Sequence, residues 1–126
     1  MPAYAIGKAR AVIDDHKASI RQAIESGVKI AFGTDTGVGP HGSNGEEFLL
    51  MHELGMEPID CIRSATTVAA DTIGMKGVGR LEAGSWGDVI GVPGDPVENL
   101  ELLSKPENVH LVVKGGDVVK HESNRR

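Results

Sequence analysis

One short apolar run limits what this chain can fold into more than any other feature. Residues 28–32 read Val-Lys-Ile-Ala-Phe and lie between Gly27 and Gly33, with Asp35 two positions further on, before a glycine-rich loop. An apolar run bounded by turn formers is typical of a strand that is buried on both faces. In barrel enzymes a carboxylate just past the end of such a strand is often catalytic or metal-binding. The run predicts a strand over 28–32 and a candidate site at Asp35.

A helix is predicted before this strand, from Lys8 to Ser26. Its apolar residues recur at helical spacing and form one stripe. The stripe consists of Ala9, Val12, Ile13, Ile20, Ala23 and Ile24. Gly27 stands where a left-handed residue ends a helix. A helix, a glycine turn and a buried strand form an αβ unit of the kind found in parallel sheets.

Two further helices are predicted, over 46–54 and 58–73. Asn44 is placed as the N-cap of the first, ahead of two glutamates that suit the helix dipole. Pro58 fits the first turn of the second, where its missing N–H has no intrahelical partner. Ser64, Thr66 and Thr67 have low helix propensity and predict a break or a kink in the middle of this second helix.

The composition changes after Gly74, where glycines alternate with short apolar runs. A strand is predicted at 88–90, one helical turn within 99–104, and two strands over 109–114 and 117–120. Gly115-Gly116 between the last two predicts a tight hairpin. We therefore divide the chain into residues 1–75 and residues 76–126, the latter ending in a polar tail.

Composition and charge restrict the class of protein. With 40% hydrophobic and 25% charged residues, the chain has a globular composition. The net charge of −5 argues against a nucleic-acid partner, since phosphate binding needs a basic face. We expect no membrane span, because no apolar run approaches about 20 residues. The N-terminus lacks a signal-peptide pattern, so a cytoplasmic protein is expected.

Several blocks of the sequence together resemble a known family, the metal-dependent amidohydrolases, and within it the imidazolonepropionase-like and prolidase-like enzymes. The resemblance begins with Ile-Ala-Phe-Gly-Thr-Asp-Thr-Gly at 30–37 and His-Gly at 41–42, and runs in order across most of the chain. Its further blocks are 55–58, 65–66, 69–70, 73–74, 79–84, 87–90, 94–96 and 112–116. A single Gly-Thr-Asp is weak evidence, whereas this ordered set is strong evidence.

The resemblance implies an α/β fold: the C-terminal part of a (β/α)₈ TIM-type barrel, followed by strands of a small β-sandwich domain. It also implies a divalent metal, with zinc expected, in a hydrolase that cleaves the amide or peptide C–N bond of a small substrate. An Xaa-Pro dipeptidase-like or carboxypeptidase-like activity is implied. Asp35 would be a metal ligand and the general base, and His41 would reach the substrate.

The resemblance covers the C-terminal third of the family pattern. The family's His-x-His pair is absent, and the five histidines are at 16, 41, 52, 110 and 121. One recognisable ligand is too few for a catalytic metal, so we expect the chain to be inactive alone and to need either the missing N-terminal barrel segment or self-association. Two alternatives stay open: a non-catalytic, self-associating α/β module, and complementation by a second chain.

Other reactive residue types have structural interpretations. Asp35 itself could instead stabilise its own loop through backbone N–H groups. Thr34 and Thr36 are interpreted as loop-shaping residues. Cys61, the single cysteine, excludes an intrachain disulfide and is interpreted as a small core residue.

Overall fold

The computed structural model describes residues 3–37 and 41–122. Within these ranges the backbone forms five α-helices, three short strands and one 3₁₀ turn. In chain order they are α1 (Ala3–Glu25), α2 (Glu46–Glu53), α3 (Pro58–Ala65), α4 (Thr67–Thr72), β1 (Val89–Gly91), α5 (Glu101–Ser104), the 3₁₀ turn (Pro106–Asn108), β2 (Leu111–Lys114) and β3 (Asp117–His121). No helix in the described ranges is long and apolar enough to cross a bilayer.

The first helix confirms the helical periodicity and begins earlier than predicted, at Ala3. Gly27 ends it with a φ of 72°, a left-handed conformation that glycine adopts without a steric penalty. The Val28 N–H then donates to the Ala23 carbonyl at 3.0 Å. Ile24 packs against the core, so the last turn of α1 is fixed to the rest of the molecule. The side chain of Ala9, on the predicted stripe, lies outside the described residues.

The strand predicted at 28–32 is wrong for this chain. Residues 28–36 belong to no strand, and Val28 is 57% exposed rather than buried on both faces. A strand needs a neighbouring strand to pair with its backbone groups, and no described segment runs alongside this one. The Phe32 N–H instead donates to the Ser64 carbonyl at 3.0 Å. The apolar pattern still predicts core contacts correctly, because Ile30 and Phe32 pack against the core.

The break predicted within the helix over 58–73 is confirmed. Pro58 occupies the first turn of α3, and Thr66 separates α3 from α4 with a φ of −122° and a ψ of −93°. The Thr66 hydroxyl donates back to the Ile62 carbonyl at 2.8 Å, which stabilises the end of α3. The predicted cap of α2 is wrong: Gly45 is the N-cap and no side chain caps the helix. The Asn44 side chain makes other bonds, described below.

The three strands form one antiparallel sheet in the order β1-β2-β3. Val89, Ile90 and Gly91 pair with Val113, Val112 and Leu111. The predicted hairpin at Gly115-Gly116 is confirmed, with both glycines at positive φ (60° and 90°). A register irregularity between Val112 and Val113 interrupts the β2–β3 pairing.

The core joins segments that are far apart in the sequence. Its buried members are Met51, Met56, Cys61 and Leu100. Leu100 directly precedes α5, so the second portion of the chain contributes to the core that α2 and α3 build. The boundary near residue 75 stays a prediction. Residues 38–40 of the glycine-rich loop and the tail beyond Glu122 lie outside the described residues.

Candidate functional site

Asp35 lies in a strained turn at the end of the segment that follows Gly27. Its φ is 47°, the only positive φ of a non-glycine residue in the described ranges. For an L-residue this conformation costs about 1–2 kcal/mol, although a short polar side chain such as Asp tolerates it best. The carboxylate is exposed and makes no hydrogen bond or ion pair with any described residue. Asp35 is therefore a carboxylate that is free to act on something outside this segment.

A small hydrogen-bond network surrounds the Asp35 turn. The hydroxyls of Thr34 and Thr36 lie 2.7 Å apart, on either side of Asp35 in the sequence. The Asn44 side-chain amide donates to Thr34 Oγ1 at 2.7 Å and to Thr36 Oγ1 at 3.3 Å. Its oxygen accepts the Gly42 N–H at 3.4 Å. The two threonines thus shape the loop, as predicted.

The segment before the turn is held by the helices. Phe32 stacks on Phe48 of α2, with ring centroids 4.7 Å apart and ring planes inclined by 36°. Together with the bond from the Phe32 N–H to Ser64, this contact places the end of the segment over α2 and α3. The Asp35 turn therefore starts from a fixed point rather than from a free loop.

His41 lies in a turn beyond the undescribed residues 38–40 and is exposed. It makes no bond to Asp35 within the described part of the chain, so the structure does not join the two predicted site residues directly. What connects their loops is Asn44, through Gly42, the residue after His41. Asn44 was missed as a site residue, because its bonds cross eight to ten positions of sequence and leave no local pattern.

The described residues supply one candidate metal ligand at this site. No group of three His, Cys, Asp or Glu side chains capable of holding an ion occurs among them. Catalytic metal sites use about three protein ligands around an open position. The exposed Asp35 carboxylate could occupy one of those ligand positions. The described part of the chain supplies no second ligand beside it.

A cleft lies near the other end of the same segment. It measures about 430 Å³ and is lined by the end of α1, residues 27–30 and the start of α3. Asp35 and His41 are not among its lining residues. We place the candidate site at Asp35 rather than in this cleft, because Asp35 combines an exposed carboxylate with the left-handed backbone described above, whereas Asp60 of the cleft is paired with Arg63 at 2.9 Å.

Cys61 is confirmed as a core residue. Its side chain is fully buried and its Sγ points to the Met56 carbonyl at 3.8 Å. Burial, and after it the charge of Asp60, raises the pKa of the Cys61 thiol to about 11. The thiol is the form present at neutral pH, and a thiol is a poor nucleophile.

The sequence pattern of the Amidohydrolase family matches residues 4–119. The match covers most of the chain, so the chain belongs to the amidohydrolase family. The resemblance inferred from the ordered sequence blocks is therefore confirmed, and the α/β class with a small sheet agrees with it.

Three individual relatives show which members of the family this chain is similar to. Ochratoxinase of Aspergillus niger is 35% identical over 116 residues, which are 90% of this chain and 24% of the relative. Imidazolonepropionase of Streptomyces coelicolor is 30% identical over 99 residues, 76% of this chain and 22% of the relative. A solved Xaa-Pro dipeptidase with bound methionine in its active site superposes with a TM-score of 0.84 at 40% identity, covering 95% of this chain and 29% of that one. The chain thus spans about a quarter of the length of these proteins.

Proposed function

We propose that this chain is the C-terminal segment of a metal-dependent amidohydrolase that cleaves an amide or peptide C–N bond in a small substrate. The observation that carries the proposal is Asp35: an exposed carboxylate, without a partner among the described residues, held at a left-handed φ of 47°. Strained backbone conformations persist where the surrounding structure enforces them, and they concentrate at functional sites. Membership of the amidohydrolase family supports the reaction class.

The proposed architecture follows from the same family. Residues 1–75 would complete a (β/α)₈ barrel, with the segment 28–32 becoming a strand once neighbours pair with its free backbone groups. Residues 76–126 would supply strands of a β-sandwich. The sheet β1-β2-β3 supports this part, since both of its outer strands lack a further neighbour among the described residues.

Within this chain we assign the metal to Asp35, with zinc as the expected ion. A divalent metal bound there would lower the pKa of its water to about 7. Asp35 would accept a proton from the attacking water, and an exposed carboxylate that no described residue engages suits that task. His41 would contact the substrate from the neighbouring loop. An Xaa-Pro dipeptidase-like or carboxypeptidase-like preference is our proposal for the substrate, supported by the likeness to an Xaa-Pro dipeptidase.

The test is Asp35→Asn in the full-length enzyme that contains this segment. The substitution keeps the shape of the side chain and removes its charge and its proton acceptor. We expect kcat to fall by at least ~10², the lower range for loss of general-base catalysis. The matched control is Asp60→Asn, which removes a carboxylate from an exposed pair with Arg63 and should leave kcat unchanged. Near-normal kcat for Asp35→Asn would contradict the proposed role.

A second candidate is a non-catalytic α/β module that self-associates, and the exposed area of the chain agrees with it as well as with the first proposal. The chain exposes 9267 Å². A compact monomer of 13.3 kDa exposes roughly 6,500 Å², so about 2,800 Å² more is exposed than a stable monomer needs. Such an area calls for a covering partner: a second copy, a separate complementing chain, or the barrel segment proposed above. Co-purification of the chain with an upstream barrel segment would favour the enzyme over the module.

A further inference from the structure

The bonds of Asn44 connect the two loops of the candidate site. Its amide nitrogen reaches the hydroxyls of Thr34 and Thr36, and its oxygen reaches the Gly42 N–H beside His41. The side chain is half-buried, and helix α2 is capped without it. The two threonine hydroxyls beside Asp35 and the backbone N–H of Gly42 therefore meet at one side-chain amide.

The geometry of the turn explains why such a contact matters. Asp35 holds a left-handed backbone between two threonines, and its carboxylate makes no bond to a residue in ranges 3–37 and 41–122 that would stabilise that conformation. Its orientation must come from its neighbours. Thr34 and Thr36 are fixed relative to each other by their 2.7 Å hydroxyl contact, and both are fixed to Asn44. Removing the amide would leave each hydroxyl with a single partner and free the turn to relax.

We propose that Asn44 is a positioning residue for Asp35: it holds the threonine pair that sets the direction of the Asp35 carboxylate. The inference rests on the proposed function of Asp35 and adds a residue that acts through others without touching the substrate. Supporting residues behind a metal ligand typically alter metal affinity or activity by about 10–100-fold when they are replaced.

The test uses the full-length enzyme with Asn44→Ala, Thr36→Val and the double variant. We expect each single variant to lower kcat by at least about tenfold while KM stays within about threefold, because a displaced group affects the chemical step more than substrate binding. The affinity for Zn²⁺, measured by competition with a chromogenic chelator, should fall by about 10–100-fold. The double variant should lose less than the two single losses combined, because both changes act on one network and share the Asn44–Thr36 contact.

The matched control is Asn99→Ala, which removes an asparagine oxygen that accepts the Glu101 N–H at 3.1 Å, ahead of another helix. It should leave kcat and Zn²⁺ affinity unchanged. A loss in kcat smaller than tenfold for Asn44→Ala, or additive losses in the double variant, would overturn the inference. So would failure of both single variants to fold while Asn99→Ala folds, because the network would then serve folding alone. If Asp35→Asn is inactive and Asn44→Ala is normal, only the positioning role fails; if Asp35→Asn is normal, the proposed function fails.

Discussion

The buried thiol of Cys61 makes a prediction at the scale of a single residue. Its pKa is raised from the ordinary 9.0 to about 11, chiefly by burial. At pH 8.5 the folded chain should therefore react with iodoacetamide roughly 100-fold more slowly than the urea-unfolded chain, since only the thiolate reacts. Equal alkylation rates in the two states would contradict this, and mass spectrometry after timed quenching measures both.

The same shift gives stability a defined pH dependence. Because the folded thiol holds its proton more tightly than the unfolded one, its contribution is fully present below about pH 9 and is lost as the pH rises through about 11. Cys61→Ala should remove this component. The difference in urea midpoint between the original chain and the variant should then shrink between pH 9 and pH 11.

The single residues of the site show where sequence reasoning reaches its limit. Asp35 could be singled out because it follows an apolar run and a Gly-Thr pair, which are local signals. For Asn44 the sequence predicted the wrong role, that of a helix N-cap, because an asparagine just before a helix usually caps it. Its real partners, Thr34 and Thr36, depend on how the intervening loop closes, and no local propensity encodes that.

At the scale of elements, the contact between α2 and α5 carries a prediction about Gly45. A Cβ at this position would collide with the carbonyl oxygen of Leu103 and lie 3.0 Å from that of Ser104. Gly45→Ala should therefore destabilise the chain by about 1–3 kcal/mol, the usual range for overpacking. Gly33→Ala is the control, because nothing lies within 4 Å of a Cβ there. Urea midpoints at one fixed chain concentration measure both, and equal midpoints would refute the prediction.

The elements themselves were largely predictable, for reasons that are local. Helices α1 and α3 follow from periodicity and from Pro58, and the β2–β3 hairpin follows from Gly115-Gly116. The absence of a strand at 28–32 could not be predicted from the sequence. A hydrophobic pattern shows that a segment is suited to pairing in a sheet, but it does not show whether a partner strand is present. Its burial depends on neighbours that no described segment provides.

At the scale of the whole molecule, the excess surface predicts association of the isolated chain. Several large apolar side chains are exposed, among them Val12, Val28, Leu81 and Trp86. Covering about 2,800 Å² on one chain would bury roughly 5,600 Å² summed over both partners, which is at the upper end of obligate interfaces, about 2,000–5,000 Å² or more in total. The purified chain should therefore elute as an oligomer or remain partly molten, and it should show no metal-dependent turnover alone.

Size exclusion with light scattering, at micromolar concentration, measures this, and the near-UV signal of Trp86 reports the packing. A sharp monomer that melts cooperatively would disprove the association. Turnover that a chelator abolishes would disprove the inactivity. Either outcome leaves the Asp35→Asn and Asn44→Ala tests in the full-length enzyme unaffected.

The core can be completed only late in synthesis, because its members lie far apart in the sequence. Met51, Met56 and Cys61 leave the ribosome before Leu100 does, separated from it by roughly forty residues of synthesis, or about 2–8 s at 5–20 residues per second. During that interval α2 and α3 cannot pack against Leu100, and Gly45 cannot contact α5. The apolar faces of these helices therefore stay uncovered during that interval, and this exposed surface makes the nascent chain prone to aggregation.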